Sequence, residues 1–140
     1  MRMPNLTLSC HRIVKGYGEG QALLSKDPIC FCTADPKTGV IRERGHQLMG
    51  KSVAAKVLIF PSGKASSAVQ MDGLCKLMLN NTMPNAMVVA DVEPVLVSAA
   101  ALLKVPLVDR LERDPFEVIE AGDIVKVDAT NGVVTVVKPA

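Results

Sequence analysis

Residues 53–67 read Val-Ala-Ala-Lys-Val-Leu-Ile-Phe-Pro-Ser-Gly-Lys-Ala-Ser-Ser, and this stretch decides the fold class. The first eight residues are apolar at nearly every position, which predicts a central strand over residues 53–60 that is buried on both faces. Pro61 breaks this strand, and a helix is predicted to begin at Ser66 or Ser67 and to end near Asn80. The apolar side chains that recur at helical spacing, and so predict the buried face of this helix, are Ala68, Met71, Leu74, Cys75 and Met78.

The chain after this helix repeats the strand–helix pattern. Residues 86–90 predict a short buried strand, and Pro94 suits the first position of a second helix that continues to residue 104. Residues 107–108 predict a third strand, and a short helical turn is expected over residues 114–120. The β-α-β-α-β order requires a parallel sheet with right-handed crossovers.

Further strands are predicted on both sides of this centre. Residues 6–14 and 21–25 predict strands separated by a glycine-rich turn. Residues 123–128 and 133–137 alternate in polarity around Asn131-Gly132, the strongest short-range signal for a hairpin.

The expected architecture follows from these elements. We predict an α/β fold of β/β/α layers, with two main helices on a parallel central sheet and a second sheet that includes the C-terminal hairpin. Residues 1–140 are expected to form a single domain. The irregular segment 26–51 is expected to be an ordered loop, because it carries apolar residues that anchor it.

The composition excludes several classes of partner. Lys and Arg number 16 against 14 Asp and Glu, so the formal net charge is only +2, and the basic residues are scattered. Nucleic-acid binders carry basic clusters or aromatic stacking platforms, whereas only 3% of this chain is aromatic. No apolar run approaches the ~20 residues of a membrane span, and residues 1–5 lack the apolar core of a signal peptide. We therefore expect a cytoplasmic protein that binds neither nucleic acid nor a membrane.

The cysteines and histidines do not form a recognisable site. The four cysteines follow no regular spacing: Cys10, Cys30, Cys32 and Cys75. In a cytoplasmic protein they are predicted to be reduced thiols. Cys30-x-Cys32 lacks the two intervening residues of a redox motif and the further ligands of a zinc site, so we interpret the pair as small residues buried in an anchored loop. Neither His11 nor His46 stands beside a serine or cysteine in the pattern of a catalytic triad.

Three loops follow the predicted parallel strands, at the sheet edge where ligands collect in α/β folds. They are residues 61–67, residues 91–94 and Asp109-Arg110, of which the last is either a substrate clamp or a surface salt bridge. The first loop places Gly63-Lys64 and the hydroxyls of Ser66 and Ser67 at the positive end of a helix. Such an arrangement binds a carboxylate or a phosphate.

Ser66 has two interpretations. Serine is a preferred helix N-cap, so a purely structural role is one of them. The other is a catalytic base, because the Lys64 ammonium, the helix dipole and a dry pocket would all favour the alkoxide. A phosphate-binding P-loop fits poorly, because its upstream glycine is missing and Ala65 separates Lys64 from Ser66.

The loop is similar to a motif of a known family. Residues 60–67 resemble the Pro-x-Gly-Lys/Arg-Gly-Ser-Ser/Thr loop of the aconitase X swivel domain. Other motifs of that family are matched in the same order along the chain: Gly16-Tyr17-Gly18-Glu19-Gly20, Asp35-Pro36-Lys37-Thr38-Gly39, Gly50-Lys51-Ser52-Val53-Ala54, Pro106-Leu107-Val108-Asp109-Arg110, and Gly122-Asp123 with Val127-Asp128-Ala129. Each motif is modest, but the ordered set is specific and spans essentially the whole chain.

The resemblance implies a function as well as a swivelling β/β/α fold. In two-subunit members the small chain caps an aconitase X-type large subunit that carries an iron–sulfur cluster. Together they remove water from a small anionic hydroxy acid, either mevalonate 5-phosphate or cis-3-hydroxy-L-proline. The resemblance implies that Ser66 is the proton acceptor, that Gly63, Lys64 and Ser67 line the substrate site, and that iron in the partner polarises the leaving hydroxyl. The four cysteines match no pattern of cluster ligands, so we expect this chain to bind no metal, and the resemblance implies that it is inactive alone.

Three departures from the family pattern bear on this inference. Ala65 replaces a glycine, which restricts the loop if that position needs a positive φ. Cys32-Thr33-Ala34 stands where many members have a Gly-Gly pair, and residues 68–72 differ from the continuations of both substrate classes. Two other functions are therefore considered. A carrier of phosphoryl groups on histidine would need a histidine near Ser66, and none is there, whereas a non-catalytic interaction module of the same fold remains open.

Overall fold

The computed structural model describes residues 5–138. In chain order it contains β1 (Leu6–Ser9), β2 (His11–Val14), β3 (Tyr17–Leu24), a 3-10 turn (Phe31–Thr33), β4 (Val57–Phe60), α1 (Ser67–Leu79), β5 (Ala86–Val89), α2 (Pro94–Leu102), β6 (Leu107–Asp109), α3 (Pro115–Val118), β7 (Ile124–Asp128) and β8 (Val133–Val137). Within these residues no helix has the length and apolarity to span a membrane. Residues 1–4, on which most of the signal-peptide prediction rests, lie outside the described part of the chain.

The strands follow the order β1-β8-β7-β3-β4-β5-β6-β2. The central strands β3, β4, β5 and β6 are parallel, and β2 closes one edge antiparallel to β6. The other half, β1-β8-β7-β3, is antiparallel and includes the predicted hairpin of β7 and β8. The long strand β3 joins the two halves, because residues 17–21 pair with β7 and residues 22–24 pair with β4.

Two hydrophobic cores separate three layers. Leu58 and Phe60 of β4 point into one core together with Leu74 of α1 and Leu96 of α2. Val57 and Ile59 point the other way, into a core that includes the inward residues of β7 and β8. The alternation along β4 therefore packs helices on one face of the parallel strands and the antiparallel half on the other. The predicted β/β/α architecture is confirmed.

Three local predictions about the strands are wrong. Residues 6–14 do not form one strand, because the chain breaks at Cys10 between β1, which pairs with β8, and β2, which pairs with β6. The central strand begins at Val57 rather than residue 53, because the chain turns at Ala55, where φ is 58°. Of the predicted glycine-rich turn, Gly18 and Gly20 are instead part of β3, whereas Gly16 lies before this strand with a φ of 132°. A Cβ on Gly18 would lie 2.0 Å from the carbonyl oxygen of Asn85, and one on Gly20 would lie 2.4 Å from that of Ala55. These glycines therefore permit close backbone packing and do not mark a reversal of the chain.

Helix α1 buries the predicted face only in part: Leu74 is buried, and Met71 and Cys75 are half-buried. Its buried residues are Gln70, Gly73, Leu74 and Leu77, whereas Ala68 and Met78 are exposed. The helix carries apolar residues on most of its circumference, so spacing alone does not distinguish the buried face. Gly73 allows the helix to face the turn at Cys32 this closely, because a Cβ at position 73 would lie 2.4 Å from the backbone nitrogen of Cys32.

The prediction that all four cysteines are reduced thiols is wrong for two of them. Cys30 and Cys32 form a disulfide, with Cα atoms 5.3 Å apart, within the usual range for a bridge. The 3-10 turn at Phe31 brings these two residues together, which their spacing in the sequence did not indicate. Cys30 is buried as expected, Cys32 is exposed, and the loop is anchored by the buried residues Ile29, Phe31, Ile41 and Leu48.

Candidate functional site

The loop between β4 and α1 is held by a segment from earlier in the chain. The Ile29 N–H donates to the Ser62 carbonyl oxygen at 3.1 Å, and the Lys64 N–H donates to the Ile29 carbonyl oxygen at 3.2 Å. These two bonds flank Gly63, which pairs with Ile29 as an isolated parallel bridge. The loop therefore pairs with residue 29 as adjacent parallel strands would, and this pairing fixes the backbone of residues 62–64, just before Ser66.

Gly63 lies where two of the predicted site loops meet. A Cβ at this buried position would lie 2.7 Å from Glu93 Oε1 and 2.9 Å from Gln70 Nε2. The Asp91 N–H also donates to the Pro61 carbonyl oxygen at 2.8 Å. Residues 61–67 and 91–94 are therefore adjacent at the carboxyl edge of the sheet, and a side chain at position 63 would have to displace Glu93 or Gln70.

Ser66 occupies the N-cap position of α1 but does not cap the helix. Its φ and ψ are −73° and 163°, and its side chain makes no capping hydrogen bond. Helix α2 differs, because Glu93 accepts bonds from the N–H groups of Val95 at 3.0 Å and Leu96 at 2.7 Å. The amino end of α1 is thus left open, with the hydroxyls of Ser66 and Ser67 exposed to solvent. Unbonded N–H groups at this end favour a negative charge.

A cation lies beside this open helix end in the sequence. Lys64 is two residues before Ser66, and its Nζ is 2.6 Å from Glu43 Oε2. The Lys64 side chain is 40% exposed and that of Glu43 is 27% exposed, so the pair lies at the surface of the loop. The site therefore offers an ammonium, two hydroxyls and free backbone N–H groups, a set of donors suited to an anionic ligand.

Gln70 holds the site loop in place, and the sequence did not single it out. Its side chain is fully buried, and its Oε1 accepts from the Phe31 N–H at 2.7 Å. Its Nε2 donates to the carbonyl oxygen of Ile29 at 3.0 Å and, more weakly, to that of Lys64 at 3.4 Å. Gln70 thus joins α1, the disulfide turn and the site loop. In the sequence, Gln70 lies four and seven residues before Leu74 and Leu77, on the same helix face. A polar amide on an apolar face was the signal that could have revealed it.

Ala65 adopts a backbone conformation that glycine adopts more readily. Its φ is 96°, within the left-handed region that non-glycine residues rarely occupy. The family pattern has glycine at this position, and the structure shows why a Cβ is unfavourable there.

We expect Ala65→Gly to raise the free energy of unfolding by about 1 kcal/mol. Release of local strain of about 1–3 kcal/mol exceeds the entropic cost of glycine in the unfolded chain, about 0.4–1 kcal/mol. Thermal unfolding measures the change. Ala68→Gly is the matched control in α1, where the φ is helical, and it should lower stability by about 1 kcal/mol. The same sign for both variants would contradict the inferred strain.

The other predicted polar residues are engaged elsewhere. Asp109 is buried, and its Oδ1 lies 2.8 Å from His11 Nδ1, which ties β6 to β2. Arg110 Nε lies 3.8 Å from Asp109 Oδ2, so these two residues form a local salt bridge. His46 Nδ1 accepts from the Leu48 N–H and Nε2 contacts the Pro28 carbonyl oxygen, so both ring nitrogens serve the loop. No described contact joins these side chains to Ser66.

The ligand-type side chains of the described residues do not fit a metal site. Among residues 5–138 no three His, Cys, Asp or Glu side chains are grouped so as to hold a metal ion. Cys30 and Cys32 are bonded to each other. Burial, and then the charges of Asp109 and Asp128, raise the pKa of the Cys10 thiol, which keeps it in the protonated form that metals do not prefer.

The loop 61–67 does not line the cavity next to Tyr17 and Pro106. A cavity of about 760 Å³ lies at the opposite edge of the sheet, between Lys15, Tyr17, Lys104 and Pro106. These residues stand at the amino ends of the parallel strands, whereas Ser66 follows a carboxyl end. Residues 65–69 are all exposed, so the candidate site is an open surface.

Comparisons with known proteins agree with the fold. Residues 7–136 match the family described as the aconitase X swivel domain. A protein of Methanococcoides burtonii named phosphomevalonate dehydratase small subunit is 42% identical over 133 residues, covering 94% of this chain and 96% of that protein. A protein of the same name from Methanocella arvoryzae is 46% identical over 125 residues, covering 89% and 94%.

A solved structure gives the same result. The crystal structure of Thermococcus kodakaraensis aconitase X in its holo-form superposes with a TM-score of 0.85 at 32% identity, over 95% of this chain and 99% of that chain. The match of the family over nearly all of the described residues, together with this superposition, leaves one assignment. The chain belongs to the aconitase X swivel domain family.

Proposed function

We propose that this chain is the small subunit of a two-subunit hydro-lyase that removes water from mevalonate 5-phosphate. The names of the relatives support this substrate over cis-3-hydroxy-L-proline. The observation that carries the proposal is the uncapped Ser66 hydroxyl, exposed at the open amino end of α1 and close in sequence to Lys64. In this proposal residues 1–140 act as one cytoplasmic swivel domain.

Ser66 is proposed to accept the proton that the substrate loses. Its Oγ has no capping bond to break, so the hydroxyl is free to turn towards a ligand. An alkoxide at this position would be stabilised by the positive end of α1 and by the ammonium of Lys64. Gly63, Lys64 and Ser67 are proposed to bind the substrate, since Gly63 fixes the loop and the other two supply donors.

The open form of the site supports a role for a second subunit. Residues 65–69 are exposed, and a base of this kind works only where water is excluded. We propose that an aconitase X-type large subunit covers this surface and carries the iron–sulfur cluster, since residues 5–138 contain no group of three ligand-type side chains that could hold a metal ion. The isolated small chain is therefore expected to be inactive.

The test is to co-express the chain with the aconitase X-type large subunit of the same organism and to purify the complex anaerobically. Dehydration of mevalonate 5-phosphate and of cis-3-hydroxy-L-proline is then measured with the complex and with each chain alone. Activity on the phosphorylated substrate by the complex only is the expected result. A stable complex that is inactive on both compounds would contradict the proposed substrate. The absence of a complex would favour the alternative, a non-catalytic module of the same fold.

A further inference from the structure

The ion pair of Lys64 and Glu43 connects two loops that are each held independently. The Arg42 N–H donates to the Thr33 carbonyl oxygen at 2.9 Å, and the His46 N–H donates to that of Glu43 at 3.2 Å. On the other side, the Lys64 N–H is bonded to Ile29. The backbone at both ends is therefore fixed, and only the two side chains must move for the pair to open.

Glu43 is incompletely satisfied in this pair. Its Oε2 receives the Lys64 ammonium at 2.6 Å, but its Oε1 is buried and has no hydrogen-bond partner within residues 5–138. A carboxylate oxygen removed from water without a partner destabilises the state that contains it. If Glu43 turned outward, both of its oxygens would regain water.

Lys64 precedes the open amino end of α1 by two residues, and its ammonium is paired with the Glu43 carboxylate. Part-exposed ion pairs are weak, so a ligand anion can replace the carboxylate at small cost. We propose that Glu43 is an internal competitor: its carboxylate occupies the ammonium of Lys64 until an anionic group of the substrate displaces it. This inference rests on the proposed function for the identity of the substrate, but its first consequence concerns anions in general.

Displacement has a quantitative signature. If Glu43 must leave before any anion binds, the apparent affinity for every anion is lowered by the same factor. This factor is the fraction of chains in which Lys64 is free. If the Glu43 carboxylate instead stayed in place and only repelled the ligand, it would weaken the binding of a dianion more than the binding of a monoanion. Removing the Glu43 charge therefore distinguishes the two cases.

The experiment compares the wild-type full-length chain with Glu43→Gln by titrating inorganic phosphate and acetate at constant ionic strength. Binding is followed by the NMR shifts of the Gly63 and Lys64 amides. We expect Glu43→Gln to raise the affinities for phosphate and for acetate by the same factor, about threefold to fivefold for a part-exposed pair. Asp72→Asn is the matched control, because it makes the same change of net charge at the exposed pair with Lys76. Lys64→Ala should remove the binding.

Three results would overturn the proposal. These are unchanged or weaker binding by Glu43→Gln, a clearly larger gain for phosphate than for acetate, and an equal gain in Asp72→Asn. In the complex with the large subunit, the KM for mevalonate 5-phosphate should fall by the factor found for phosphate. If the complex does not dehydrate that substrate, the proposed function fails, while the anion titrations still decide the role of Glu43.

Discussion

Ser66→Ala is expected to lower kcat of the two-subunit complex by about 10²- to 10⁴-fold, the usual contribution of a positioned base. The same change is expected to alter the free energy of unfolding by less than about 0.5 kcal/mol, as for ordinary surface substitutions. Loss of a working N-cap typically costs about 1 kcal/mol. Ser66 makes no capping hydrogen bond, so that loss is not expected here. The variant should therefore separate catalysis from stability.

The measurement pairs dehydration kinetics of the complex with thermal unfolding of the small chain. Ser98→Ala is the matched control, because Ser98 is exposed on α2 and the chemical change is the same. If Ser66→Ala kept more than about a tenth of the activity, Ser66 would not be the base. A stability loss of about 1 kcal/mol with a proportionate loss of activity would instead identify it as a structural cap.

Gly73→Ala is expected to destabilise the domain by about 2 kcal/mol, even though alanine is the better helix former by about 1 kcal/mol. The added Cβ would lie 2.4 Å from the Cys32 nitrogen and 2.5 Å from the Phe31 carbonyl carbon. Both are backbone atoms, so the turn itself must move. That movement would also disturb the bond from the Phe31 N–H to Gln70, and through Gln70 the site loop.

Thermal unfolding checks this prediction, with an expected drop in Tm of roughly 5–10 °C for a domain of this size. Gly122→Ala is the control for the cost of a Cβ without a clash, because nothing lies within 4 Å of that position and its φ is 93°. It should cost about 1 kcal/mol from backbone strain alone. A rise in Tm for Gly73→Ala would mean that helix propensity prevails and that the turn yields easily.

Local signals in the sequence were enough for the order of the elements and for the loop. The continuous apolar run, the paired serines and Asn131-Gly132 each predict a structure that depends on neighbouring residues only. They correctly indicated β4, the start of α1 and the hairpin of β7 and β8. Ser66 was predicted at a helix start for the same reason, and the structure places it at the N-cap. Its role in catalysis remains a prediction.

The sequence by itself determined the fold class and the position of the candidate loop, because apolar periodicity and turn residues are encoded in consecutive residues. The family followed from the resemblance of the ordered motifs. Only the tertiary structure decided which face of α1 is buried, that Gly18 and Gly73 are sites of close backbone contact, and that Cys30 and Cys32 are bonded. It also decided that the Ser66 side chain does not cap α1 and that the Glu43 carboxylate pairs with the Lys64 ammonium. Most of these features depend on distances between segments far apart in the chain, and spacing along the chain does not encode those distances.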